Sequence, residues 1–290
     1  MKRKLPLSMP RSFPRRNVHF EFNMNILGCV VKEPAMEVVI CSDEQQVGQV
    51  AANRVVQWVE RLATPVLGLA TGSSPLTLYN ELARRVAAGE VDFSHGIGFA
   101  LDEYVGIDPE NPLSYRQTIL RTVIEPLRMD PARVSVPNGL TPDLAAAALE
   151  YDRAIKAAGG VDVQVLGIGS NGHIGFNEPT SSFASRTRVK TLTEQTRADN
   201  ARFFDEGERV PTHCVTQGLG TIMEARHVVM VVTGHHKAAA VAAMVEGPVA
   251  AVCPASILQF HPSVLVVVDE AAAAGLNHAD YFCHVADILI

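Results

Sequence analysis

The feature that most constrains the fold is a series of short, unbroken apolar runs, each followed by a segment with helical periodicity. The runs include MEVVIC, PVLGLA, VDVQVLGIG, HVVMVV and SVLVVVD. Strands that are apolar at every position are typical of a parallel sheet covered on both faces. Strands alternating with helices over about 220 residues predict an α/β fold: a doubly wound, mostly parallel sheet with helices on both faces, in one Rossmann-like domain.

Three details of this prediction can be checked against a structure. Ser42 and Gln45 have the spacing of a capping box at the start of the first helix. Pro142 is expected in the first turn of a later helix. The stretch GIGFALDEY, residues 96–104, is predicted to be a single strand.

The first 35 residues differ in charge from the rest of the chain. The formal net charge is −6, whereas residues 1–35 carry seven Lys or Arg and two Glu, so the remainder carries −11. We predict that residues 1–35 form a basic, disordered extension, with a targeting peptide as the alternative, and that residues 36–290 form the domain. An acidic body argues against a nucleic-acid partner.

Cysteine usage and hydropathy indicate the compartment. The five cysteines show no CxxC spacing, which is typical of reduced thiols in a cytoplasmic protein. No apolar run reaches the ~18 residues that a membrane span requires, so no membrane partner is expected.

Polar, glycine-rich sequence follows four of the predicted strands. The stretches are ATGSSP, ALDEY, GIGSNGHIGFNE and VTGHHK. Ligands bind outside the carboxyl ends of strands in open α/β sheets, so these stretches predict one shared site.

Two of these stretches fit an anion. The residues Thr71, Gly72, Ser73 and Ser74 lie between a strand and a helix, where backbone amides and hydroxyls can cradle a phosphate. An ordinary capped turn is the alternative at this point. Lys237 begins a helix, where a cation opposes the helix dipole, so a bound anion would explain it.

The other two stretches carry groups that can transfer protons. Asp102 and Glu103 end a buried strand, and alternation along a strand predicts that only one of them faces the cleft. Asn171, His173 and Glu178 lie within eight residues, and a carboxylate can orient an imidazole and raise its basicity. Metal-ligand spacing such as HxxxH is absent from this segment, so no metal is predicted.

These motifs together resemble the glucosamine-6-phosphate deaminase family, within the glucosamine/galactosamine-6-phosphate isomerases, over roughly residues 36–270. The resemblance is carried by LGLATGSSP, LDEYVG, LGIGSNGHIGFNEP, SRTRVKTLTEQTRADNARFF and VTGHHKAAA. It implies an enzyme of amino-sugar catabolism that converts glucosamine 6-phosphate and water to fructose 6-phosphate and ammonium without a cofactor.

The resemblance also implies roles for individual residues. Asp102 would move a proton between carbons 2 and 1, and His173, tuned by Glu178, would open the sugar ring. The phosphate would be bound by the Thr71–Ser74 loop, Arg202 and Lys237. Asn171 departs from the Asp that many members carry, so Glu178 would be the only charged partner of His173.

Regulation, assembly and three other functions stay open at this point. Some family members are hexamers with an allosteric site, and Ser181, Ser182, Arg188 and Lys190 match positions associated with that site. A homo-oligomer is therefore one possible assembly. The alternative functions are a galactosamine-6-phosphate deaminase or a 6-phosphogluconolactonase-like hydrolase, and, less favoured, a non-catalytic sugar-phosphate sensor.

Overall fold

The computed structural model describes residues 36–204 and 208–289. The strands are β1 (Met36–Cys41), β2 (Val66–Leu69), β3 (Ile97–Ala100), β4 (Asp102–Tyr104), β5 (Val134–Ser135), β6 (Val163–Leu166), β7 (Arg188–Thr191), β8 (His213–Thr216), β9 (His227–Val232) and β10 (Val264–Asp269). The α-helices are α1 (Glu44–Val59), α2 (Ser73–Ala87), α3 (Tyr115–Ile119), α4 (Leu144–Ala157), α5 (Glu194–Asn200), α6 (Leu219–Ile222), α7 (Ala238–Val245), α8 (Glu270–Ala273) and α9 (Ala279–Leu289).

Seven strands form one parallel sheet in the order β1-β10-β9-β6-β2-β3-β5. The chain runs outward from β2 to β3 and β5, then returns to the other side of β2 with β6 and continues to β9 and β10. The topological switch point is therefore between β2 and β6, where ligands bind in folds of this kind. The predicted mostly parallel, doubly wound sheet is confirmed.

The core explains why β9 and β10 each contain five consecutive apolar residues. All five residues from 228 to 232 in β9 are fully buried, and residues 264–268 of β10 are at most 3% exposed. Since successive side chains point to opposite faces, burial of consecutive residues means that both faces of these strands are covered. Helices α1 and α2 contribute Val47, Val55, Leu78 and Leu82 to the same core.

Two predicted helix starts are wrong, by one residue for α1 and by two residues for α4. The N-cap of α1 is Asp43, whose carboxyl accepts from the Gln46 amide, and Gln46 Oε1 accepts in turn from the Ser42 amide at 2.8 Å. The capping box therefore exists, shifted by one position. Pro142 precedes the first turn of α4, because Asp143 is the N-cap of that helix.

The stretch 96–104 is two strands rather than one. After β3 the chain leaves the large sheet at Leu101, and β4 pairs antiparallel with β8, which pairs with β7 in a separate three-stranded sheet. The basic segment SRTRVKTLTEQTRADNARFF therefore contributes β7 first and only then α5. Its Arg186 is held by Asp152 and Glu224 at 3.1 and 2.6 Å.

Two predictions concern the chain ends and membranes. The predicted disordered extension, residues 1–35, lies outside the described residues. Within the described part of the chain, no helix is long and apolar enough to cross a bilayer.

Glu103 fastens β4 to the helix that follows it. Its carboxyl accepts from the backbone amides of Tyr104, Tyr115 and Arg116 at 2.8–3.0 Å. Burial raises the pKa of Glu103, and these three amides oppose that effect. Glu103 is thus committed to the backbone, whereas Asp102 points to the other face of β4.

We expect Glu103→Ala to lower the free energy of unfolding by about 2 kcal/mol, since three backbone amides lose their buried acceptor. Chemical denaturation measures the change. Glu125→Ala, at an exposed position just after the π-helical turn Leu120–Ile124 that follows α3, is the matched control and should shift stability by less than about 0.5 kcal/mol. Equal effects of the two substitutions would contradict this role.

Candidate active site

The four polar strand ends meet at one place because their strands are neighbours. The relevant strands, β9, β6, β2 and β3, are consecutive in the sheet. Beyond their carboxyl ends is a cleft of about 400 Å³, next to the switch point between β2 and β6. Among the predicted site residues, those that line it are Thr71, Gly72, Ser73, Ser74, Asp102, His173, Arg202 and Lys237.

The loop after β2 has free backbone amides at the start of α2. Gly72 is the N-cap with φ of 109°, a left-handed conformation that favours glycine, and no side chain caps the helix. The alternative of an ordinary Ser-capped turn is therefore wrong. Uncapped amides with the helix dipole behind them suit an anion. Ser73 is exposed, whereas the Ser74 hydroxyl is occupied by Thr233, accepting from its amide at 3.2 Å.

Asp102 is a buried carboxyl in the wall of the cleft. It is 6% exposed, and burial, followed by the charge of Glu103, raises its pKa to about 8. The loop that carries His173 approaches it closely: a Cβ added at Gly175 would lie 3.5 Å from Asp102 Oδ2 and 3.1 Å from Thr216 Oγ1. Glycine at 175 thus permits the two strand ends to meet.

His173 faces the cleft, and its polar partners stand behind it. The imidazole Nδ1 lies 3.6 Å from Glu178 Oε2, beyond hydrogen-bond length, and has no hydrogen-bond partner. Asn171 Nδ2 donates to the same Glu178 oxygen at 2.8 Å, and Thr193 donates to the other through its amide and hydroxyl. Asn171 and Glu178 therefore act on the cleft only through His173.

The electrostatics keep Glu178 ionised beside the imidazole. Burial alone would raise the pKa of Glu178, but the nearby imidazole of His173, followed by hydrogen bonds from Thr196 and Thr193, lowers it to about 2. A carboxylate at this position can orient the imidazole of His173. The pair can therefore hold and release a proton at the cleft surface.

Two cations reach the cleft from different elements. Lys237 is the N-cap of α7, and burial, opposed by Asp199 and reinforced by Arg202, lowers its pKa. Arg202 is exposed in a short 3₁₀ turn after α5, with its guanidinium 4.7 Å from the Phe203 ring centre. Two neighbouring cations with uncapped amides nearby make this end of the cleft suited to a phosphate.

The four residues predicted for an allosteric site lie outside this cleft. Ser181 is buried and donates to the Glu178 carbonyl, whereas Ser182 is exposed. Arg188 donates to Asn177 Oδ1 at 2.8 Å, and Lys190 is in the same strand, β7. A second site at these residues stays a prediction.

Sequence reasoning missed several residues of the cleft. Tyr104 and Asn200 line it, as do Thr118 and Arg121 from the helix after β4. In the sequence, Thr118 and Arg121 belong to an ordinary amphipathic helix, and nothing in their spacing separates cleft from solvent. Tyr104 stands within the LDEYVG motif, so its strand position, two residues after Asp102, is the pattern that could have revealed it.

Among the described residues, no group of three or more His, Cys, Asp or Glu side chains could hold a metal ion.

Comparison with known proteins identifies the family. Residues 42–266 match the family model described as glucosamine-6-phosphate isomerases/6-phosphogluconolactonase. The chain belongs to this family. Two relatives within it are the glucosamine-6-phosphate deaminases of Cutibacterium acnes, 61% identical over 85% of this chain and 95% of the relative, and of Streptomyces coelicolor, 57% identical over 86% and 96%.

Solved structures of the isomerase/lactonase family agree with the fold. A monomeric glucosamine-6-phosphate deaminase superposes with a TM-score of 0.80 at 38% identity, covering 83% of this chain and all of the other. A 6-phosphogluconolactonase from Leishmania guyanensis gives a TM-score of 0.65 at 21% identity, over 83% and 98%, which shows the shared fold alone.

The raised pKa of Asp102 predicts a pH-dependent cost to stability. The unfolded carboxyl titrates near about 4 and the folded one near about 8. Between these values the unfolded chain has released a proton that the folded chain retains, so stability falls as pH rises. Asp102→Asn removes this dependence. We expect the wild type to lose stability relative to Asp102→Asn by up to about 1.4 kcal/mol per pH unit from pH 5 to 8.

Thermal or chemical unfolding at several pH values measures this difference, with both proteins in the same buffers. Curves that stay parallel across that pH range would contradict the raised pKa.

Proposed function

We propose that this protein catalyses the conversion of glucosamine 6-phosphate and water to fructose 6-phosphate and ammonium. One observation carries the proposal: Asp102 and His173 line the same cleft as the uncapped amides of α2, Lys237 and Arg202. The identity of 54–61% to glucosamine-6-phosphate deaminases over most of the chain supports it. The likeness to lactonases supports the fold alone.

The reaction begins with a closed sugar ring. His173, with Glu178 behind it, would move the proton of the O1 hydroxyl to the ring oxygen, so that the C1–O5 bond breaks and an open-chain aldehyde forms. General acid–base catalysis of this kind contributes about 10²–10⁴-fold. Asn171 cannot supply a charge, but its bond to Glu178 Oε2 holds that carboxylate in place behind the imidazole.

Isomerisation and deamination follow at carbons 1 and 2. Asp102 would take the proton from C2 while the substrate ammonium gives a proton to O1, so that an enol forms, and Asp102 would then return its proton to C1, leaving a protonated C2 imine. Water adds to that imine, the C2–N bond breaks, and ammonium leaves with fructose 6-phosphate. Asp102 must be ionised to start, and the cationic amine of the substrate would favour its ionised form.

Binding of the phosphate would fix the position of the reacting carbons in the cleft. The amides of residues 72–74, with Lys237 and Arg202, would bind it at one end of the cleft. Positioning of this kind supplies much of the rate enhancement of an isomerase, because the reacting carbons are held against Asp102 and His173.

We further propose a cytoplasmic location, where sugar phosphates are metabolised. The thiols of Cys41, Cys214, Cys253 and Cys283 are free, which supports a reducing compartment. Glucosamine over galactosamine as the preferred epimer, and regulation through Arg188 and Lys190, are further parts of this proposal.

The direct test is to incubate the protein with glucosamine 6-phosphate and measure both ammonium and fructose 6-phosphate. We expect the two products in equal amounts. Parallel incubations with galactosamine 6-phosphate and with 6-phosphogluconolactone separate the alternatives. Lactone hydrolysis without ammonium release would overturn the proposal.

Asp102→Asn should lower kcat by about 10²–10⁴-fold while KM changes little, because the amide keeps the shape of the carboxyl but cannot accept the C2 proton. Steady-state kinetics measures both constants. Asp280→Asn, exposed in α9, is the control with the same chemical change. A variant at position 102 with near-normal kcat would refute the assignment of the base.

Lys237→Ala should raise KM by about 10-fold or more with a smaller effect on kcat, because it removes a cation from the bound phosphate. Lys156→Ala, exposed at the end of α4, is the matched control and should leave both constants unchanged. An unchanged KM for the Lys237 variant would exclude its role in phosphate binding.

A further inference from the structure

Three side chains from three elements meet at the hydroxyl of Tyr104. Tyr115 Oη donates to Tyr104 Oη at 3.0 Å, and Asn200 Nδ2 donates to the same oxygen at 2.9 Å. Tyr104 is 1% exposed in β4, two residues after Asp102. Asn200 is the last residue of α5, two residues before Arg202. The Asn200–Tyr104 bond thus joins the strand of the proposed base to the segment of the proposed phosphate ligand.

Two further hydrogen-bonded contacts, which we also call ties, join the segment from α5 to Arg202 to the rest of the site. Thr193 donates to Glu178 Oε1, and Ser170 Oγ donates to Asp199 Oδ2 at 2.9 Å. Each of the three ties leads to a strand end that bears a proposed catalytic group. They differ in burial and in distance from Arg202 along the chain.

The tie to Tyr104 has the greatest influence on Arg202. The Ser170–Asp199 bond is exposed, so water competes with it and its net contribution is small. The Thr193–Glu178 bonds are partly buried, but they lie nine residues before Arg202. The Asn200–Tyr104 bond is partly buried and only two residues away.

The backbone between Asn200 and Arg202 is short and hydrogen-bonded. The 3₁₀ turn Ala201–Phe203 begins directly after Asn200, and the Phe204 amide closes it on the Ala201 carbonyl at 3.0 Å. With Asn200 held, the backbone of this turn orients the Arg202 side chain toward the cleft. Without that bond, the turn can move while the rest of the site stays in register.

We propose that Tyr104 and Asn200 are positioning residues that hold Arg202 at a fixed separation from Asp102. This inference rests on the proposed function, in which Arg202 binds the substrate phosphate. The ring of Tyr104 packs in a second small core with Tyr115, Phe176 and Phe204. Removal of its hydroxyl alone therefore leaves the packing of the strand in place and breaks only its two hydrogen bonds, to Asn200 and to Tyr115.

Tyr104→Phe and Asn200→Ala should each raise KM for glucosamine 6-phosphate by about 3- to 10-fold, with kcat within about twofold of wild type. The KM of the double variant should be no higher than that of the more affected single variant, because both substitutions remove the hydrogen bond between Asn200 and Tyr104. Losses that multiply in the double variant, or a fall in kcat at constant KM, would overturn the proposal.

Tyr115→Phe is the matched control. It removes the other hydrogen bond to Tyr104 Oη and leaves the bond to Asn200, so KM should change by less than about twofold. Thermal unfolding of all four variants separates loss of fold from loss of position. A KM increase in Tyr115→Phe equal to that in Tyr104→Phe would contradict the specific role of Asn200.

Binding of fructose 6-phosphate, measured by calorimetry, separates this inference from the proposed function. If wild type binds fructose 6-phosphate and Tyr104→Phe binds it about 3- to 10-fold more weakly, the coupling holds even without deaminase turnover. Equal affinities of wild type, Tyr104→Phe and Asn200→Ala would overturn the coupling even if wild type turns over glucosamine 6-phosphate.

Discussion

Two-sided burial of the parallel sheet is the constraint on which the rest of the structure depends. Five consecutive residues of β9 and five of β10 are buried, so these positions cannot carry polar side chains without a large desolvation cost. Polar chemistry is therefore displaced to the residues that follow each strand. Because β9, β6, β2 and β3 are neighbours, their carboxyl ends form one wall, and groups far apart in sequence face one cleft.

The site combines two environments that favour opposite charges. At one end, uncapped amides and two cations suit an anion. At the other, Asp102 is buried enough to retain a proton near neutral pH. Glu178, by contrast, is held ionised by hydrogen bonds and by His173. Two carboxyls with pKa values displaced in opposite directions provide one group to abstract a proton and one to support an acid.

Sequence patterns predicted the fold and most of the cleft, because both follow from local apolar periodicity and from the rule that strand ends converge. They failed where pairing is decided by tertiary contacts. GIGFALDEY has no break at Leu101, so the transfer of β4 to a second sheet was invisible, as was the pairing of the basic residues 188–191 with β8. Arg186, in the same basic segment, is bound to Asp152 and Glu224, and both partners are distant from it in sequence.

The division between the two sheets sets Asp102 apart from His173 and Lys237, which follow strands of the seven-stranded sheet. Asp102 begins the small sheet, and its backbone register is set against Thr216 of β8 rather than against the seven-stranded sheet. Substitutions in β4, β7 or β8 can thus change the orientation of the Asp102 carboxyl with little effect on the packing of the core around the seven-stranded sheet. For a protein engineer, this makes the three-stranded unit an exchangeable module, on which new specificities could be selected while the scaffold beneath stays unaltered.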